Sequence, residues 1–380
     1  MVKRSEIKFI RPCLSIYENN KVLTPAYALQ CLTLKKVIQI NLDNCSLQRM
    51  EELSSTSTLE DVKRVGLLPL VDLLQSGSVC LTAIGVNEMP DIWVEKSMAA
   101  YQNFCHQFWP SHIDDPEATF RDYSPDAKEK KVLFQELSAE ARTVYGLHYI
   151  SMLQIQNIKL NYSHLTPEKR FEVYLYSMIS FIDMISAYDL EIAKYAFWDL
   201  DSNAINQLPE SIHTRRKYIK ENFYKNGSNL DSRKYIKENF YKNGSNLDKC
   251  RWYAFDAAMD LHWLTGANFS EDIGSFITLN GVKFETEHWV GTNDKKLYYI
   301  SQDIHHIYYE GSTMKALSSC RENEMTAFQY WKVVDSISQS VLLSRKYSKK
   351  EPNPNITKLI DLAVEKIEND LHNYFLTKDT

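Results

Sequence analysis

The stretch Val37-Ile-Gln-Ile-Asn-Leu-Asp43 (VIQINLD) decides how the fold is read. Its β-branched and apolar residues predict a strand over Val37–Leu42, and Asp43 stands where that strand stops. Helical patterns follow over Leu47–Leu53 and Leu59–Leu74, the second interrupted near Pro69, whose ring and missing N–H break a helix. After the turn Ser76-Gly77-Ser78, Val79–Thr82 predicts a second strand. A helix follows from Ile84 past Glu88, with Pro90 bounding or kinking it. Strand, helix, strand, helix is the opening of an α/β domain.

Beyond this opening the pattern changes. From Pro110 to Leu208 the chain reads as helical, with segments at Val132–Gln156, after Thr166-Pro167-Glu168 (Thr as N-cap, Pro in the first turn), and at Asp189–Phe197. A helix over Arg251–Leu264 and a β-like run at Lys296–Ser301 resume the α/β order. The chain finishes in helices, including Lys358–Phe375 with Ile360, Val364, Ile367 and Leu371 on one face. The expected division is therefore 1–109, the first half of an α/β domain with an N-terminal extension, then 110–249, a helical insertion. Residues 250–310 form the second half and 311–380 a helical C-terminal extension. Inside the insertion, RKYIKENFYKNGSNLD occurs at Arg216–Asp231 and again, letter for letter, at Arg233–Asp248. Two identical short copies are a duplication of coding sequence, not a solenoid, whose repeats are longer and diverged. An exposed excursion is where a fold absorbs such an insertion.

Composition limits the function classes. The chain has 380 residues and a formal net charge of −5, so global charge does not advertise nucleic-acid binding, and any grip on a polyanion is local. Seven cysteines without a C-x-x-C pair argue against zinc ribbons and disulfide frameworks, and for free thiols in a reducing compartment. No signal-peptide-like apolar stretch opens the chain and no run approaches membrane length, so the expected location is cytoplasmic, without membrane contact. Walker, G-x-G-x-x-G, G-x-S-x-G and H-E-x-x-H motifs are absent from the sequence.

The candidate chemistry lies in scattered acids at the ends of apolar runs. Asp43 closes VIQINLD, Glu88 ends VCLTAIGVNE, Asp256 and Asp260 sit one helical turn apart in YAFDAAMDL, and Asp303 closes LYYISQD. Carboxylates gathered from distant positions are hard oxygen ligands for Mg2+ or Mn2+, ions that activate water and neutralise charge in phosphodiester hydrolysis. Taken singly, each has a structural explanation: Asp43 as a helix cap, Glu88 as a solvated helix residue, Asp256 as a first-turn charge, Asp303 as a turn residue.

In their order and context these motifs resemble the PIN-domain ribonucleases, the family that includes the VapC toxins. INLDN is similar to the first element (Asp43), LTAIGVNEM to the second (Glu88), and FDAAMDLHWL to the third (Asp256 or Asp260). YYISQD is similar to the fourth, a strand reading like L-V-T-x-D, with Ser301 in the hydroxyl position and Asp303 as the acid. The resemblance covers about residues 37–105 and 250–310. It implies a PIN-like parallel sheet flanked by helices, here with a large all-helical insertion and a helical C-terminal extension. It also implies a metal-dependent endoribonuclease, with Asp43, Glu88, Asp256 and Asp303 holding Mg2+ or Mn2+ and Asp260 as an auxiliary acid. RNA is the implied substrate, with DNA as the other polymer this chemistry cuts. A toxin or defence effector with an inhibitory partner protein, and a homodimer, are the settings the family suggests. The chain departs from the pattern at Cys45, where a hydroxyl or Asn is usual, in the length of the insertion, and in the segment before the first strand.

Two rival readings remain. The first is a non-catalytic α-helical protein-interaction module, in which the acids are caps and surface charges. The second is a metal-independent HEPN-type ribonuclease, which Arg142 and His148 resemble in their R-x5-H spacing. His262, His305 and His306 are read as packed or surface histidines, adjacent side chains diverging on a strand or helix.

Overall fold

The computed structural model describes residues 4–11, 22–77, 79–109, 133–198, 210, 246–272, 276–279, 281–294, 297–298, 301, 304–308, 315–319, 328–347 and 355–378. The chain divides into two compact units. The first comprises Met1–Val132, Glu136–Ala141 and Asp260–Ser318, and the second Leu133–Gln135, Arg142–Met259 and Ser319–Thr380.

The first unit is α/β. Its central strand β2 (Lys36–Leu42) is parallel to β3 (Val79–Thr82) on one side and to β5 (Val282–Thr292) on the other. β1 (Lys8–Ile10) and β4 (Phe276–Leu279) pair antiparallel with the two halves of β5, so the sheet expected to be parallel is mixed, with a parallel centre. Strand β2 is apolar on both faces because both are covered: Val37, Ile38, Ile40 and Leu42 are all buried. Around it stand α1 (Pro25–Thr33), α2 (Asn44–Met50), α3 (Leu59–Val65), α4 (Leu68–Gln75) and α5 (Asp91–Phe108). Leu47, Leu70, Leu73, Phe104 and Trp289 join the strand residues in one core. Each large side chain so buried contributes roughly 1.5–3 kcal/mol relative to exposure.

Local chemistry sets the breaks. The capping box Thr58-x-x-Asp61 opens α3, and Gly66 ends it at φ +86°, in the left-handed region where glycine alone is comfortable. Pro69 then falls in the first turn of α4, where its missing N–H costs nothing, so the interruption expected near Pro69 is a helix start. A 3-10 helix, Ile84–Glu88, follows β3.

The second unit is helical. It holds most of α6 (Ala139–Asn161), α7 (Pro167–Phe181), α8 (Ala187–Phe197), the first half of α9 (Leu247–Asp272), α10 (Gln329–Tyr347) and α11 (Ile356–Lys378). Thr166 caps α7 as its sequence predicts, accepting from Lys169 N, with Pro167 in the first turn. On α11, Ile360, Val364, Ile367 and Leu371 are buried, as the 3.6-residue period requires. Gly146 of α6 lies against Ile360, where a Cβ would come within 2.6 Å of Cγ2.

Two further sequence expectations change. The β-like run Lys296–Ser301 is helical where it is described, at Leu297, Tyr298 and Ser301, with Tyr298 N bonded to Asp294 O at 3.2 Å. The long strand of this region is instead β5, from a stretch that reads as turn-rich. The duplicated segment lies outside the described residues except for Asn246–Asp248, and there Asn246 Oδ1 caps α9 by accepting from Lys249 N at 3.0 Å. Among the described residues no helix is long and apolar enough to cross a membrane.

Candidate functional site

In the first unit, β2 and β5 run parallel and end together, with Leu42 opposite Gly291. β3, the next strand after β2 in the chain, flanks β2 on the side opposite β5. The carboxyl ends of adjacent parallel strands are the place where open α/β sheets bind ligands.

Asp43 stands at that point and is 4% exposed. Its Oδ1 accepts from the amides of Cys45 and Ser46, capping α2, and its Oδ2 accepts from the hydroxyl of Thr292, the last residue of β5. Thr292 Oγ1 in turn accepts from Asp294 N at 2.9 Å. Asp294 repeats on the second strand what Asp43 does on the first. Its Oδ1 accepts from Leu297 N at 3.4 Å and its carbonyl from Tyr298 N, so it caps the helical turn after β5. Two strand-to-helix turns thus bring two acids side by side.

Electrostatics separates Asp43 from an ordinary cap. Burial pushes its carboxyl from 3.8 up to about 6. The Thr292 and Ser46 hydrogen bonds oppose that shift, and the charge on Asp294 adds to it. Among the described residues, no cation is bonded to Asp43. A third turn comes from the other neighbour: Gly85, in the 3-10 helix Ile84–Glu88, lies so near the β2–α2 turn that a Cβ would fall 2.5 Å from Asn44 N and 2.6 Å from Leu42 O. That close approach places the short helix carrying Glu88 directly over the backbone of Asp43.

The other expected residues distribute as follows. Glu88 is the final residue of the 3-10 helix. Asp260 and His262 lie on the part of α9 that belongs to the first unit, and Asp256 on the part that belongs to the second. Asp303 lies outside the described residues. Ser301, its expected hydroxyl partner, sits in a helical turn and donates to Tyr298 O at 2.7 Å, so its expected strand setting is not met. His305 and His306 are in β6 (Ile304–Tyr308). Cys45 is an exposed thiol outside any disulfide. Among the described residues no group of three or more His, Cys, Asp or Glu side chains is placed to hold a metal ion, so the described site is the pair Asp43 and Asp294.

Asp294 is the residue that sequence reasoning missed. The signal was present in Trp289-Val-Gly-Thr-Asn-Asp294, an apolar strand end with a hydroxyl two residues before an acid. It went unread because the strand leading to it carries Glu285, Glu287 and His288, which disguise it as a polar loop.

In the second unit, Arg142 and His148 are drawn to different partners. Arg142 makes a two-pronged pair with Asp361 at 3.0 and 3.2 Å, while buried His148 meets both carboxylate oxygens of Asp189 through Nδ1 at 2.9 and 3.0 Å. Six residues apart on α6, they lie on different helical faces. Arg142 and Arg251 border an open groove of about 430 Å³ with Phe134, Glu365, Glu368 and His372. Compared with protein-family models, curated proteins and solved structures, the chain has no match in any of the three.

Proposed function

We propose that the first unit is a PIN-like, divalent-metal-dependent endoribonuclease acting at the carboxyl ends of β2 and β5. The observation that carries this reading is the state of Asp43: a buried carboxyl beside a second acid, raised to about 6, at the carboxyl ends of two parallel strands. Buried acids in this condition gain most from a cation, which reverses the sign of the local field.

The donor chemistry fits Mg2+ or Mn2+. Asp43 and Asp294 offer hard carboxylate oxygens, with the Thr292 hydroxyl between them. One or two carboxylates suffice for Mg2+, which keeps waters and takes substrate phosphate oxygens for the rest of its shell. Glu88, on the short helix pressed against the Asp43 turn, is proposed as the third acid, and Asp303 as a further ligand. Among the described residues, Asp256 and Asp260 form no metal-holding group with the pair and are left out of the proposed site. When bound, the ion supplies charge neutralisation at the phosphoryl oxygens and a water of lowered pKa.

The chain's own residues do the positioning. The first-turn amides of α2 fix Asp43 Oδ1, and Thr292 fixes Oδ2, so the carboxylate plane is set before any ion arrives. Asp294 is fixed through its own amide and through Leu297. RNA as substrate, and a toxin or defence role with an inhibitory partner, follow from the family resemblance of the sequence motifs.

A second reading has an observation in its favour. Both acids cap helical turns, the use a non-catalytic interaction module would have for them. Cleavage of a labelled single-stranded RNA in Mn2+ separates the two. Asp43→Asn and Asp294→Asn should each abolish cleavage, as should EDTA, with the fold intact by circular dichroism. Cleavage undiminished in both variants leaves the interaction module as the better account.

A further inference from the structure

The segment before the first long strand has an evident task at the site. Ser5 and Asn293 exchange two hydrogen bonds: Ser5 Oγ donates to Asn293 O at 2.8 Å, and Asn293 Nδ2 donates to Ser5 O at 2.9 Å. A backbone carbonyl can only accept, so the Asn293 amide is oriented without ambiguity, NH2 toward Ser5 and Oδ1 away from it. That Oδ1 accepts from Ser46 Oγ at 3.0 Å, a hydroxyl that shares its one proton with Gly291 O at the same distance, and Ser46 is the fully buried residue whose amide binds Asp43. Asn293 is itself 5% exposed and immediately precedes Asp294. One amide group therefore ties the N-terminal segment to both acid-bearing turns.

The segment is seated closely on either side of Ser5. Arg4 pairs with Glu52 at 2.9 Å, Ile7 N bonds to Gly66 O at 2.8 Å, and Lys8–Ile10 pair with the last residues of β5. At Gly66 a Cβ would run into the carbonyl oxygen of Ser5, so this glycine is needed both for its φ and for the approach of Ser5. A three-residue strand holds weakly by itself, and the polar pair supplies what β1 lacks.

We infer that Ser5 and Asn293 form a latch through which the N-terminal segment sets the geometry of the Asp43–Asp294 pair. They are positioning residues, acting through Ser46 on one acid and through the chain on the other. The inference rests on the reading of those two acids as the functional pair, and it gives a purpose to the extension that a minimal domain of the proposed kind lacks.

The test compares wild type with Asn293→Ala, Ser5→Ala and Ser5→Thr in the full chain, by amide hydrogen exchange and by Mn2+ titration. Amides of Cys45, Ser46, Asp294 and Leu297 should exchange at least roughly tenfold faster in Asn293→Ala, with those of β3 unchanged as the control for folding. Mn2+ affinity should fall by roughly tenfold, as for other groups that orient ligands. Ser5→Ala should show a smaller change of the same kind, readable if Asn293→Ala fails to fold, and Ser5→Thr, which keeps the hydroxyl, should match wild type. Unchanged exchange at the four amides overturns the latch. So does wild-type Mn2+ affinity in a folded Asn293→Ala protein, while leaving the metal site standing. Faster exchange in a protein that binds no Mn2+ in any form keeps the latch and removes the metal reading.

Discussion

Glu287 and Asp43 are buried acids on neighbouring parallel strands, 5% and 4% exposed, and they are held in opposite ways. Near the middle of β5, Glu287 is surrounded by donors. Tyr27 OH reaches both its oxygens at 2.8 and 3.1 Å, Trp289 Nε1 gives a bond of 2.9 Å, and the Arg11 guanidinium lies 3.3 Å away. At the end of β2, Asp43 has a hydroxyl, two amides and a second acid. The first arrangement satisfies a buried charge, and the second, among the described residues, leaves it short of a countercharge. A fold that can build the first does not need to tolerate the second, and residues that break local rules without compensation concentrate where function requires them. Asp61 sharpens the point within the same unit. It too serves a helix N-terminus, but in solvent, where the Thr58 amide and hydroxyl and then Arg64 hold its carboxyl below the ordinary value. Asp61, the third residue of its capping box, is thus stabilised as an anion in solvent, while Asp43, a buried N-cap, is penalised as one.

The contrast can be broken in three places. Arg11→Ala leaves Glu287 buried without its cation and should cost about 3–5 kcal/mol in urea denaturation, as removal of one partner of a buried pair does. A loss near zero would mean that Tyr27 and Trp289 alone satisfy Glu287, and the two acids would differ less than claimed. Asp43→Asn should do the reverse and stabilise the metal-free protein. An acid whose pKa is raised on folding binds its proton more tightly in the native state, so its penalty is full above about pH 6 and absent below about 3.8. A rise of this size corresponds to roughly 3 kcal/mol at most, seen at about pH 8 and fading toward about pH 4. A destabilised variant at that alkaline pH would mark Asp43 as a structural cap. The smallest effect belongs to Asp61→Ala. A lowered carboxyl contributes stability above its unfolded pKa that is lost as pH falls through the folded value, so this variant should be slightly less stable than wild type at neutral pH and converge with it in acid.

Much of the fold was legible because the decisive elements obey local rules. VIQINL is apolar and β-branched because both faces of β2 are covered, and Thr166-Pro167 and the stripe on α11 carry their signals in a few residues. β5 was not legible for a physical reason: Thr286, Glu287 and His288 are polar yet buried, and apart from Trp289 the partners of Glu287 come from α1 and from Arg11. A window of sequence contains the charges without most of the groups that satisfy them. The aromatic run Leu297-Tyr-Tyr-Ile-Ser301 misleads in the opposite sense, reading as a strand although Asp294 caps a helical turn there. The site followed the fold. Asp43 was found because its strand was found, and Asp294 was missed because its strand was not.

The most direct test is a thermal melt at about pH 7.5 with and without Mn2+, for wild type and Asp43→Asn. A bound ion stabilises by mass action, by about 2.7 kcal/mol at a hundredfold excess over Kd. The account predicts that Mn2+ raises the wild-type Tm, that metal-free Asp43→Asn already melts higher than wild type, and that Mn2+ does not move it further. A wild-type Tm indifferent to Mn2+, or an equal rise in both proteins, would contradict it.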